Sequence, residues 1–201
     1  MKKILFMAAA LLTAGFASAQ VTYSLGYINT STTSKYEATV GGVTVSNTNT
    51  ESMNGFTIGI DNNINLSGDL NVAPGIGMDF SMREKNDIKY KKFGLYVPVD
   101  FNYGFGLGSD LKVFVYAGPT FDLGLIKDAK DDDGDKVNYY DDDNAVYYSR
   151  FDILVGGGVW VTYQDQIRFK VGYKAGMLNT CKTDNYTVKN NVLSVSVGYI
   201  F

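Results

Sequence analysis

Residues 70–82 read LNVAPGIGMDFSM, and their spacing decides the architecture. Leu70, Val72, Pro74, Ile76, Met78, Phe80 and Met82 recur at every second position, opposed to Asn71, Ala73, Gly75, Gly77, Asp79 and Ser81. A period of two places the first set on one face of a β-strand and the second on the other, and no helical period accommodates it. Residues 93–105, FGLYVPVDFNYGF, repeat the scheme: Phe93, Leu95, Val97, Val99, Phe101, Tyr103 and Phe105 against a small or polar opposite face. Applied to the whole chain, the same test predicts strands near 21–30, 53–66, 70–82, 93–105, 111–125, 147–163, 167–178 and 191–201.

The connections alternate in length. Short ones fall near 67–69, 106–110 and 164–166; longer ones near 31–52, 83–92, 126–146 and 179–190. In an up-and-down meander every second connection lies on the same rim, so one rim carries tight turns and the other large loops. An all-β, eight-stranded antiparallel barrel follows, with the asymmetry of a transmembrane barrel. Composition agrees: 201 residues, 45% hydrophobic and 14% aromatic, with 22 Gly and 3 Pro, suit one strand-rich domain.

Several chemistries are excluded at once. There is no histidine, which removes a Ser-His-Asp triad, a Cys-His dyad, a His-ligated zinc site and a histidine pH switch. A net charge of -3 gives no basic surface for nucleic acid. The single cysteine, Cys181, has no internal disulfide partner and reads as a loop thiol. No cofactor or metal site is expected. Residues 1–19 carry Lys2 and Lys3, an apolar run from Ile4 to Leu12, and Ala17-Ser18-Ala19, the pattern of a signal peptide cleaved near Ala19. The barrel domain is then residues 20–201.

Two barrels share this strand pattern. A soluble periplasmic carrier of the lipocalin kind turns its apolar face inward, whereas a membrane barrel turns it outward. The face opposite the apolar one is crowded with glycine, from Gly26 and Gly55 to Gly172 and Gly198, which weakens a solvated strand but makes room inside a narrow barrel for Tyr96, Phe114, Tyr116 and Trp160. The apolar face is also zoned. Tyr23, Tyr103, Phe105, Tyr163, Phe169, Tyr199 and Phe201 fall near the short-turn rim, and Tyr27, Phe56, Phe80, Phe93, Phe121, Phe151 and Tyr173 toward the other, with aliphatics such as Val97, Val115 and Val197 between. Hydrocarbon bounded by aromatic girdles selects that order, so the membrane barrel is the expected form.

The final residues, VLSVSVGYIF, place Leu193, Val195, Val197, Tyr199 and the terminal Phe201 on one face. This resembles the C-terminal assembly signal of outer-membrane barrels. With the leader and the eight segments, the chain resembles the small outer-membrane β-barrel superfamily that includes the OmpA transmembrane domain, OmpX and opacity-type proteins. The resemblance implies a Gram-negative outer membrane, recognition of Tyr199 and Phe201 by the barrel assembly machinery, and long loops at the cell surface. It implies no OmpA-like periplasmic tether, since the eighth strand ends at the last residue. The enzymes among small barrels rely on a histidine, so a non-enzymatic role is expected.

Charged residues on the inner face are Asp79, Asp100, Lys112, Asp122, Arg150, Asp152, Arg168, Lys170 and Lys174. Strand direction puts Asp79, Asp122, Arg150, Asp152 and Lys174 in the upper, long-loop half and Asp100, Lys112, Arg168 and Lys170 in the lower. Unpaired charges are costly in a narrow lumen, so these should pair and plug it. A gate for protons or small ions is the functional version of the same network.

Residues 126–146 hold Asp128, Asp131, Asp132, Asp133, Asp135, Asp141, Asp142 and Asp143 against Lys127, Lys130 and Lys136. An EF-hand reading fails because Ala129 and Tyr140 stand at the first and twelfth ligand positions. Residues 83–92 are oppositely charged: Arg83, Lys85, Lys89, Lys91 and Lys92 outweigh Glu84 and Asp87. That loop is expected to contact lipopolysaccharide phosphates or, alternatively, the acidic loop. The expected function is an outer-membrane barrel with a structural or surface-interaction role. The alternatives are a narrow channel or translocation accessory, and a soluble carrier.

Overall fold

The computed structural model describes residues 20–41, 43–107, 110–131, 134, 136–141, 143 and 146–201. The leader at 1–19 and the aspartates at 132, 133, 135 and 142 lie outside the described residues. The elements are β1 (Gln20–Val40), β2 (Val43–Ser67), β3 (Leu70–Lys85), β4 (Ile88–Gly106), β5 (Leu111–Lys130), β6 (Lys136–Asn138), β7 (Phe151–Tyr163), β8 (Ile167–Gly176) and β9 (Tyr186–Ile200). Neighbouring strands pair antiparallel, and β1 pairs with both β2 and β9. The ring β1-β2-β3-β4-β5-β7-β8-β9 therefore closes with eight members, while among the described residues β6 pairs with the upper end of β5. This is the expected barrel with one short strand added above it.

The wall follows from the period of two. Outward residues stay exposed: Leu25 57%, Val115 45%, Val155 45% and Phe169 58%. Inward ones are buried, with Trp160 at 2% and Tyr116 at 6%. The soluble-carrier reading required the reverse and is corrected here, because the apolar band faces outward around the barrel. Girdle aromatics touch one another: Tyr23 and Tyr199 pack edge-on against Phe201 at 5.3 and 4.8 Å, and Phe56 lies 5.4 Å from Phe80. Inside, Trp160 packs on Phe114 at 5.3 Å and on Tyr116 at 5.2 Å. Close approach makes glycine necessary at two of the crowded sites: a Cβ on Gly172 would strike the Tyr116 hydroxyl, and one on Gly77 the Tyr96 ring.

The upper connections differ from expectation. β1 and β2 stay paired from Asn29↔Asn54 up to Val40↔Val43, so most of residues 31–52 is a hairpin and not a loop. Its Thr, Ser and Asn residues carry no apolar alternation, because above the membrane neither face is buried. Hydroxyls pair across it instead, Thr33 with Thr50 and Thr39 with Thr44, each at 3.1 Å. Residues 83–92 are likewise strand on both sides of a two-residue turn. Asn86 and Asp87 supply its positive φ angles of 51° and 60°, as a type I′ turn demands.

Candidate functional site

The lumen charges are stacked in three tiers. In the lowest, Arg168 of β8 forms a two-pronged ion pair with Asp61 of β2, and its guanidinium lies 5.4 Å from the Trp160 ring centroid. In the middle tier Asp100 of β4, 1% exposed, accepts from Lys170 at 2.8 Å and Lys174 at 2.6 Å. Lys174 also donates to Thr120 Oγ1 at 2.6 Å, and Lys170 Nζ sits 4.2 Å from the centre of the Tyr116 ring. In the uppermost, Lys92 donates to Asp122 at 2.9 Å and lies 3.6 Å from Asp79. Buried ion pairs add little over a well-packed apolar core, but removing one partner strands the other charge.

Most of the expected network is therefore inside, Asp152 included, with three changes. Lys174 serves Asp100, so it joins charges assigned to opposite halves. Lys112 pairs with Asp165 at 2.7 Å, both about half exposed, so it belongs to the lower rim and not to the lumen. Arg150 is exposed at the upper mouth, where it donates to the Leu125 carbonyl at 2.9 Å and covers the Tyr140 ring at 4.6 Å. Asp152 is buried and accepts from Asn190 at 3.2 Å and its neighbour's amide, that of Ile153, at 2.8 Å. Among the described residues, the sequence reading missed three inward charges: Asp61, Lys92 and Lys127, the last of which lines the upper cavity. Each shares the parity of an inward small residue, Asp61 with Gly59, Lys92 with Gly94 and Lys127 with Ala129, and that signal was sufficient to find them.

Two cavities lie along the axis. One of about 130 Å³ is bounded by Tyr96, Tyr116, Asp100 and Lys174 among others, and a second of about 30 Å³ lies above, beside Tyr140, Asp152 and Asn190. Lys92 and Asp122 line both, so the uppermost ion pair is the partition between them.

Above the membrane the strands form a crown. Glu51 accepts from Arg83 at 2.8 Å and Lys85 at 3.1 Å, and the Arg83 hydrogen bond holds its carboxyl below the usual range. Two cations of the 83–92 segment thus bond to Glu51 of β2, and a third, Lys92, turns into the barrel to Asp122, so these three are engaged within the protein and meet neither lipopolysaccharide nor the acidic loop, the two partners expected for the segment. Lys127 lies 3.6 Å above the Tyr148 ring; burial first, and Lys92 second, push its ammonium down to about 7. Burial pushes the hydroxyls of Tyr140 and Tyr148 up to about 12. Cys181, expected as a loop thiol, is a free thiol 4% exposed, and its backbone pairs antiparallel with that of Tyr148.

Residues 7–201 match the outer membrane protein beta-barrel domain family. Among solved structures, the outer membrane protein OprG from Pseudomonas aeruginosa is similar at TM-score 0.51 and 9% identity, over 92% of this chain and 96% of that one. Ail, the attachment invasion locus protein of Yersinia pestis, is similar at TM-score 0.49 and 13% identity, over 92% and 99%. The outer membrane protease OmpT from Escherichia coli stands at TM-score 0.49 and 9%, over 92% and 97%. At such identities the likeness is one of fold. No curated protein matches the sequence.

Proposed function

The chain belongs to the outer membrane protein β-barrel family, and on that premise we propose that it is a non-enzymatic, plugged barrel that works at the cell surface through its crown. One observation carries the reading: the wall spends its length on crossing the membrane and sealing the lumen, whereas the β1–β2 hairpin stays paired from Asn29↔Asn54 to Val40↔Val43 above it. An extended, paired hairpin offers a preformed surface with little ordering cost on binding. The absence of histidine supports the non-enzymatic part. The C-terminal Tyr199 and Phe201, exposed at 46% and 73%, suit recognition by the barrel assembly machinery.

The test shortens the hairpin, joining Ser31 to Ser52 through Asn-Gly. The variant should still show the gel-mobility shift on boiling that marks a folded barrel, while cell-to-cell and cell-to-surface adhesion falls. Unchanged adhesion by folded variant and parent would refute the reading. A narrow channel is the second reading, favoured by the single ion pair that partitions the two cavities. It predicts that Lys92→Ala raises single-channel conductance in planar bilayers.

A further inference from the structure

Among the described residues, the uppermost lumen tier is one cation short. Strand register sets Asp122 of β5 directly opposite Asp152 of β7, both inward and only 7% and 4% exposed. Asp79 of β3, 8% exposed, stands opposite Gly94 of β4, so three buried carboxylates share this part of the lumen. Like charges on facing strands repel, and burial strengthens the repulsion. Lys92 serves two of the three, donating to Asp122 Oδ2 at 2.9 Å and lying 3.6 Å from Asp79 Oδ2. The other cations nearby are engaged elsewhere: Lys127 covers the Tyr148 ring, while Arg150 is exposed and donates to the carbonyls of Gly124 and Leu125. Even with Lys127 counted, three negative charges face two positive ones.

The deficit has a location. Asp79 Oδ1 and Asp122 Oδ1 are buried and have no hydrogen-bond partner among the described residues. Both converge on the inward side of Gly94. The position a Cβ would take there is 3.0 Å from Asp79 Oδ1, 3.3 Å from Asp122 Oδ1 and 3.2 Å from the Leu123 carbonyl oxygen. The nearest atoms beyond the local chain are thus three oxygens, two of them anionic. Buried carboxylate oxygens are costly to leave unpaired, and a hard cation is the ligand that an all-oxygen place accepts. Charge sets the valence: with Lys92 kept on the Oδ2 atoms, one further positive charge balances the level, whereas a divalent ion would overshoot beside an ammonium. The cavity of about 130 Å³ reaches both aspartates, so its water can complete the ion's shell.

We propose that Asp79, Asp122 and the Leu123 carbonyl, grouped at the inward side of Gly94, bind one monovalent metal cation of sodium's size in the partition between the two cavities. The side chain that Gly94 lacks leaves the space the ion takes. The site lies in the lumen, apart from the crown, so its test is independent of the surface role.

The experiment uses the mature chain folded in zwitterionic detergent at about pH 8, where free carboxylates are ionised. Sodium chloride is compared with choline chloride at the same ionic strength, about 150 mM. The thermal midpoint of the parent should be higher in sodium by about 2–4 °C. Two variants remove the site differently: Gly94→Ala puts a methyl group in the ion's place and keeps both carboxylates, and Asp79→Asn with Asp122→Asn removes their charge. Asp165→Asn, on the lower rim, is the control. Folding of each is verified by the mobility shift on boiling. The sodium effect should vanish in both site variants and persist in the control, and the parent, unlike Gly94→Ala, should broaden the sodium-23 resonance. Equal midpoints of the parent in sodium and choline would overturn the proposal, as would an undiminished sodium effect in folded Gly94→Ala. A larger rise with calcium than with sodium would overturn the valence. A rise on acidification with no dependence on sodium would give the place to a proton and overturn the metal site.

Discussion

The wall and the crown are built from the same strands under opposite solvents. Between the girdles, hydrocarbon on one side and a narrow lumen on the other force a strict alternation, and every charge must find a partner inside. Above Tyr27, Phe56 and Phe80 water replaces hydrocarbon on the outer face, the apolar alternation lapses, and pairing is held by hydroxyl contacts, a type I′ turn and ion pairs. The lesson is that strand continuity depends on the backbone ladder, while the apolar code records only which solvent a strand crosses.

Mutations in the two regions should therefore differ in cost. Arg168→Ala leaves Asp61 buried without its counter-ion, with an expected loss of about 3–5 kcal/mol in urea unfolding from detergent. If that variant proves as stable as the parent, the lower tier does not carry the weight assigned to it. In the crown, replacing Asn86 and Asp87 by alanine forces side chains that dislike positive φ into the turn, for about 1–2 kcal/mol per residue. Glu51→Gln frees Arg83 and Lys85 on a partly exposed face and should cost about 1 kcal/mol or less.

The crown also has a pH signature. Lys127 binds its proton less tightly folded than unfolded, so the unfolded chain takes up more protons and stability should rise between about pH 7 and 10. Above that window the sign reverses, since Tyr140 and Tyr148 keep their protons to about 12 when folded and lose them sooner when unfolded. Lys127→Met should flatten the rise and leave the alkaline fall. A persistent rise in that variant would assign it to another group.

The wall was legible because Leu70 to Met82 and Phe93 to Phe105 each satisfy two constraints at once, one per face. Of the tiers, Asp79, Asp100, Asp122, Arg168, Lys170 and Lys174 were legible as inward charges, but Asp61 and Lys92 were not, and neither were the pairs. Which of Asp79, Asp100 and Asp122 meets Lys174 depends on strand stagger across the lumen, which alternation does not encode. Lys92 was misplaced because it stands among Lys89 and Lys91 in a basic run, where composition obscured its inward parity. The hairpin from 31 to 52 escaped because Thr, Ser and Asn suit both loops and solvated strands.

The central claim is the orientation of the wall, and labels read it directly. Cysteine introduced at Val115 and Val155 in the Cys181→Ser background would carry an environment-sensitive fluorophore in nanodiscs. The account predicts quenching by brominated lipid tails and protection from iodide in water. Iodide quenching at both sites with none from the lipid would contradict it.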